Sequence, residues 1–339
     1  MDILTVSKSP IVPRRMDESP RRGPRNAKED TTMASKQSRR VNRYWETVLQ
    51  STMNPKPEDL VTNAQWDVLT GEPGGVDYLE IDAGGVPGLW AVPHGTAHDG
   101  PALLCFHGGG YVGGSIFTHR KMFAHLAKAI GVRALSIDYT LLPQGGVFPR
   151  PIVEGVAAYQ WLLDQNIPAS RIAFAGDSAG GQLAITVQLR ARGQGLPLPA
   201  AAMLMSPWTD LELTGGSLDY NNGKDAIFNK PWIAQLAAGF LNGHDPRDPE
   251  TMPLHADLSG FGPIYIHVGD QELLLDDSRM LATHARQAGV DVQIDEFPGQ
   301  QHTFQMAAGL APEADDAINR FAAWARARLG ITPPAAEPA

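Results

Sequence analysis

Gly176-Asp177-Ser178-Ala179-Gly180-Gly181 is the stretch on which the reading of this chain turns. Before it runs Arg171-Ile172-Ala173-Phe174-Ala175, an apolar segment with strand character. After it Gln182-Leu183-Ala184-Ile185-Thr186-Val187-Gln188-Leu189-Arg190 has the composition of a helix. A serine at so sharp a strand-to-helix turn sits in strained backbone with its hydroxyl pushed into the open. The glycines two residues to either side are needed because side chains there would collide across the turn. The helix N-terminus just beyond favours developing negative charge.

Working outward, apolar strand-like runs alternate with helical patterns. Strands are predicted at 76–83 and 86–92, a pair joined across Gly84-Gly85, then at 101–106, 132–138, 171–175, 200–205, 263–268 and 290–297. Helices are predicted at 41–53, 57–69, 117–130, 149–165, 182–190, 230–241, 274–288 and 312–329. Eight strands in this rhythm predict a mostly parallel sheet wrapped by helices on both faces, with the first pair as an antiparallel edge. Residues 207–262 break the rhythm and are expected to form a cap over the active face together with 41–69.

Composition narrows the function classes. The 339 residues are 43% hydrophobic, enough for one large domain, and carry a net charge of −9. Residues 1–40 hold ten Lys/Arg and five Asp/Glu, a balance of +5; the remaining 18 basic and 32 acidic residues give −14. An acidic body argues against nucleic acid as a partner. The basic stretch 1–40 reads as a disordered tail, residues 41–330 as the folded domain and 331–339 as a flexible terminus. The single cysteine, Cys105, falls in a predicted buried strand, which suits a reducing compartment. Ile3-Leu4-Thr5-Val6 is too short for a signal-peptide core, and no apolar run approaches a membrane span, so a cytoplasmic protein is expected. There is no His-Glu-x-x-His, no clustered His/Cys spacing and no phosphate-binding loop, so no metal and no cofactor is expected. A homodimer is left open.

A serine hydroxyl is a weak nucleophile and needs a base. Of the ten histidines, His302 lies in the loop after the last predicted strand, where such a base belongs. His267 falls within a strand, His125 and His284 within helices, and His94, His98, His244 and His255 in loops without a partner motif. An acid is expected at the end of the preceding strand, where Asp270 and Glu272 are the candidates. The spacing of three residues from the strand-end Gly269 favours Glu272. Asp276 and Asp277 fall a turn into the next helix and read as acids favoured there by its dipole. His107-Gly108-Gly109-Gly110 follows another buried strand and exposes backbone N–H groups with no side chains in the way, as a pocket for an oxyanion requires. Gly108, Gly109 and Ala179 are the predicted donors, with His107 as a structural member of the loop.

With both motifs, His107-Gly108-Gly109-Gly110-Tyr111 and Gly176-Asp177-Ser178-Ala179-Gly180-Gly181, the chain resembles the hormone-sensitive-lipase family of α/β-hydrolase esterases over residues 41–329. The resemblance implies an α/β-hydrolase fold, a catalytic triad of Ser178, Glu272 and His302, and a small-molecule ester substrate cleaved through an acyl-enzyme. Short acyl chains are expected, because no long exposed apolar lid is visible. Lactonase, amidase or deacetylase chemistry on the same residues is the alternative, and a non-catalytic receptor on the same fold is the alternative of another class. Two departures stand out. The family's Asp-Pro-Leu-x-Asp element is replaced by Glu272-Leu273-Leu274-Leu275-Asp276-Asp277. Its Asp-Tyr-Arg-Leu-Ala-Pro-Glu is replaced by Asp138-Tyr139-Thr140-Leu141-Leu142-Pro143-Gln144, which removes a paired Arg and Glu beside the oxyanion loop. A less firmly braced loop is the expectation.

Overall fold

The computed structural model describes residues 34–53 and 66–331. Most of the predicted tail, the predicted helix 57–69 apart from its last four residues, and the terminus beyond residue 331 lie outside them. Residues 66–69 form a 3₁₀ turn.

Helix α1 (Lys36–Met53) begins five residues before the apolar stripe that predicts it. Its start is fixed from elsewhere in the chain: Ser35 N–H and Ser38 Oγ donate to the two carboxylate oxygens of Glu313, at 2.6 and 3.0 Å. A polar tertiary anchor of this kind leaves no periodic signal. The chain then forms the hairpin β1 (Val76–Asp82) and β2 (Pro87–Pro93), followed by β3 (Ala102–Phe106), α2 (Ile116–Ile130) and β4 (Arg133–Ile137). Next come α3 (Arg150–Asp164), β5 (Ile172–Asp177), α4 (Ala179–Gly193) and β6 (Ala201–Met205). A long connection carries α5 (Ser217–Tyr220) and α6 (Lys230–Leu241). It leads to β7 (Ile264–Gly269), α7 (Leu275–Gln287), β8 (Val292–Phe297) and α8 (Pro312–Arg328).

All eight strands belong to one sheet, in the order β1-β2-β4-β3-β5-β6-β7-β8. β1 and β2 pair antiparallel with each other, as does β2 with β4, and every later pairing is parallel. The five residues of β3, β4 and β6 and the six of β5 are all buried, as central parallel strands covered on both faces must be. Side chains alternate across the sheet. Leu104, Phe106, Phe174 and Leu204 pack on one face with α3 and α4 residues such as Tyr159 and Leu183. Leu103, Cys105, Ala175 and Met203 pack on the other with α2 and α8 residues such as Phe123 and Phe321.

Helix ends are set locally. Ser115 and Thr118 form a reciprocal capping box at the start of α2, and Gly131 closes that helix at φ +88°. α8 opens on Pro312 with Glu313 and Asp315 in its first turn and ends with Arg326 and Arg328, in the sense the helix dipole favours. Parallel strands bring their carboxyl ends to one edge of the sheet. That edge therefore carries His107, Ser178, Ser206, Asp270 and the loop of His302, as open α/β sheets place their sites. Among the described residues no helix is long and apolar enough to cross a membrane.

Candidate active site

Ser178 occupies the turn between β5 and α4 at φ +54°, ψ −121°, a region that non-glycine residues rarely enter. Its neighbours hold it there. Ser178 N–H donates to Met205 O at the end of β6 (2.9 Å), and its own carbonyl accepts from Gly181 and Trp208. The flanking glycines are needed for close approach. A Cβ on Gly176 would run into the carbonyl of Gly180, and one on Gly180 into the carbonyl of Phe106 in β3.

His302 lies in the loop after β8, 3% exposed, and its Nδ1 is 2.8 Å from Oε2 of Glu272, which is fully buried. Nε2 of the same ring is buried without a hydrogen-bond partner. An Nδ1 proton held by the carboxylate leaves Nε2 as the basic nitrogen. Burial opposes the charged imidazole. The charge and hydrogen bond of Glu272, aided by the charges of Asp225 and Asp177, outweigh it and hold the pKa above the usual histidine value. For Glu272 itself burial is the larger influence and raises its pKa, while His302 and the Ser206 side chain pull the other way. Of the two acids that the sequence leaves in contention, Asp270 is engaged elsewhere: its Oδ1 accepts from Gly299 N–H (2.7 Å) and Gln271 Nε2 (2.8 Å).

The glycine loop after β3 approaches the serine turn from the side. Gly108 N–H donates to Asp177 Oδ1 at 3.0 Å, so this donor is committed within the protein. The backbone N–H groups of Gly109, Gly110 and Ala179 have no partner among the described residues. Asp177 also meets His119 of α2, its Oδ2 lying 3.3 Å from Nε2. His107 is wholly buried and stacked on Tyr139 at 4.3 Å; burial, then the neighbouring His119, push its pKa down to about 3. It is thus a neutral packing residue, in line with the sequence reading.

The loop is braced despite the missing Arg and Glu. Tyr139 Oη donates to the carbonyl of His107 (2.7 Å), Tyr111 Oη to Gln182 Oε1 (2.7 Å), and Glu154 of α3 takes both the N–H and the hydroxyl of Thr140, each at 2.6 Å. Glu154 lies fourteen residues beyond Thr140 in a different element, so no local motif announces it.

Asp276 and Asp277 do stand in the first turn of α7, but their carboxylates serve the β6–β7 connection. Asp277 Oδ2 accepts from the N–H groups of Thr209 and Asp210, both at 2.8 Å, and Asp276 accepts from Ser217 N–H and Tyr220 Oη, also at 2.8 Å. These roles, and those of Tyr111 and Asp177, escape a sequence reading because their partners lie up to 71 residues away.

A serine in a strained elbow, an imidazole bonded to a buried carboxylate and a glycine loop with free N–H groups, at the carboxyl edge of this sheet, define a hydrolase of the α/β class. The model of a family with the α/β-hydrolase fold matches residues 103–306. An acetyl-hydrolase of Streptomyces hygroscopicus is 37% identical over 241 residues, covering 71% of this chain and 80% of the relative. An esterase of Acinetobacter venetianus is 37% identical over 227 residues, covering 66% and 74%. Among solved structures, an esterase from the bacterial hormone-sensitive lipase family superposes with a TM-score of 0.82 at 37% identity, covering 87% of this chain and 99% of the other. The chain belongs to the α/β-hydrolase family, and its likeness to the hormone-sensitive-lipase esterases extends over most of its length.

Proposed function

We propose that this carboxylic ester hydrolase cleaves esters of short acyl chains through an acyl-enzyme on Ser178. The serine oxygen attacks the ester carbonyl while His302 Nε2 takes its proton. The same proton then goes to the departing alcohol, and water, activated in turn by His302, releases the acid. Glu272 holds the ring in the required tautomer. Gly109, Gly110 and Ala179 are the proposed oxyanion donors. Gly110 replaces the expected Gly108, whose N–H is already bonded to Asp177. Removal of one such donor typically costs about 3–4 kcal/mol of transition-state stabilisation. The observation that carries the reading is the buried 2.8 Å bond from Glu272 to one nitrogen of His302 with the other nitrogen unpartnered.

Short acyl chains are supported by two relatives. One is the acetyl-hydrolase; the other is the esterase EstE5, 34% identical with a TM-score of 0.81, a structure of which was soaked with p-nitrophenyl butyrate. We assign the cap to the 207–262 connection together with the segment 41–69, of which residues 54–65 lie outside the described residues. Hydrolysis of p-nitrophenyl acetate, butyrate, octanoate and palmitate by the full chain, alongside Ser178→Ala, tests the reading. Turnover greatest on acetate or butyrate and lost in the variant is expected. A maximum at palmitate would overturn the chain-length assignment, and undiminished turnover by Ser178→Ala would overturn the nucleophile.

A further inference from the structure

The acid and the base of the proposed triad sit on separate loops, after β7 and after β8, and one short piece of the β6–β7 connection is bonded to both. Asn221 Nδ2 donates to the carbonyls of Asp270 (3.0 Å) and Glu272 itself (2.9 Å). The Asp225 carboxylate accepts the N–H of Leu273 (2.8 Å), the residue after Glu272, on Oδ2. On Oδ1 it accepts the N–H groups of Ile227 and Phe228, at 2.7 and 2.9 Å. On the histidine side, Gln301 Oε1 accepts from Ala226 N–H and Gln301 Nε2 donates to the carbonyl of Lys224, both at 2.8 Å. The ring of Phe228 then stands edge-on to His302 at 5.0 Å.

We infer that residues 221–228 are a positioning strap that holds the acid turn and the histidine loop in register, with Asp225 and Gln301 as its two positioning residues. The inference rests on the triad reading above. Asp225 is the centre because its buried carboxylate accepts three backbone N–H groups; burial raises its pKa, and the charge of His302 and those three N–H groups oppose the rise. Its charge faces the His302–Glu272 pair from the strap, as that of Asp177 faces His302 from the end of β5. Asp225→Asn keeps the shape, removes this charge and leaves one N–H against an amide NH₂. The strap thus links the proposed cap to the chemistry: a displacement of residues 221–228 would loosen the acid and the base as well as uncover the site.

The test uses the full chain, with circular dichroism and thermal melting to establish that each variant folds. Asp225→Asn is expected to lower kcat on p-nitrophenyl butyrate by about 10- to 100-fold with KM changed by less than about threefold. With the negative charge gone, the acidic limb of its kcat/KM profile moves to lower pH. Gln301→Ala lowers kcat without moving that limb, and Tyr220→Phe, at the exposed residue just before the strap, matches the wild type. Proton NMR supplies a readout free of substrate: the Nδ1 proton of His302, assigned by its loss in His302→Ala, shifts or broadens in Asp225→Asn and Gln301→Ala. Folded variants with wild-type kcat, an unmoved limb and an unshifted proton overturn the strap. Should His302→Ala remain active, the catalytic reading fails, and the imidazole proton still decides whether the strap holds the pair.

Discussion

Glu272 has no exposed surface, so its carboxylate depends on the protein alone for compensation of its charge, and His302 is the partner at 2.8 Å. Glu272→Gln keeps the shape but presents an amide that no longer fixes the imidazole tautomer. We expect kcat on p-nitrophenyl butyrate to fall by about 10³- to 10⁴-fold, with KM little changed. Asp270→Asn is expected to stay within about threefold of wild-type kcat. Its carboxylate ties the loop of Gly299, so the loss belongs to thermal stability. Steady-state kinetics on the two variants separates the acids, and the reverse ranking would move the acid to Asp270. The spacing from Gly269 favours Glu272 in the sequence, but the contact with His302 is seen only in the folded chain. The commitment of the Gly108 N–H to Asp177 is not legible in the sequence either, because it depends on how the β3 loop and the β5 turn approach one another.

At the scale of elements, the β6–β7 connection is held to α7 by the buried carboxylate of Asp277 and the half-buried one of Asp276 as well as by apolar packing. Burial, then the charge of the neighbouring Asp210, push the Asp277 carboxyl well above the usual range. Its two N–H partners belong to Thr209 and Asp210, which are themselves buried. Asp277→Ala leaves both donors buried and unpaired. It is expected to cost about 2–3 kcal/mol, read as a lower midpoint in urea or heat, with Asp277→Asn losing less. A melting curve unchanged by the alanine would show that the connection is held by packing alone. The helices and strands of this region follow from periodicity, whereas their polar fastenings do not: hydrogen bonds between side chains and distant backbone have no period.

For the whole molecule, acid is the expected weakness. His267 of β7 is buried against Phe321 at 3.6 Å with neither ring nitrogen hydrogen-bonded, and burial pushes its pKa down to about 3. His107 is depressed to the same value. An unfolded histidine titrates near 6.5, so below that pH the unfolded chain binds protons that the native one refuses. Stability is therefore full above about pH 6.5 and declines as the pH falls toward 3, by about 2 kcal/mol per histidine at pH 5. His267→Phe removes one such penalty. The variant is expected to keep its activity and to lose less of its melting temperature than the wild type between pH 7.5 and pH 5. An equal loss in both proteins would place the acid sensitivity elsewhere.

The alternation of apolar strands with helical stripes, the two glycine-bearing motifs and their order in the chain determined the sheet of eight strands, the serine turn, the glycine loop after β3 and the histidine loop. Each of those signals is local: a period, a cap, or a glycine where a Cβ would collide. Tertiary structure alone decided which N–H groups stay free, that Glu272 and not Asp270 meets His302, that α1 begins at Ser35 and Lys36 against Glu313, and that Asp225, Asp277 and Gln301 bind the β6–β7 connection to the site loops. Those outcomes turn on distances between groups tens to hundreds of residues apart. A buried polar group takes whichever partner the packed chain brings within about 3 Å, and only the folded backbone sets that distance.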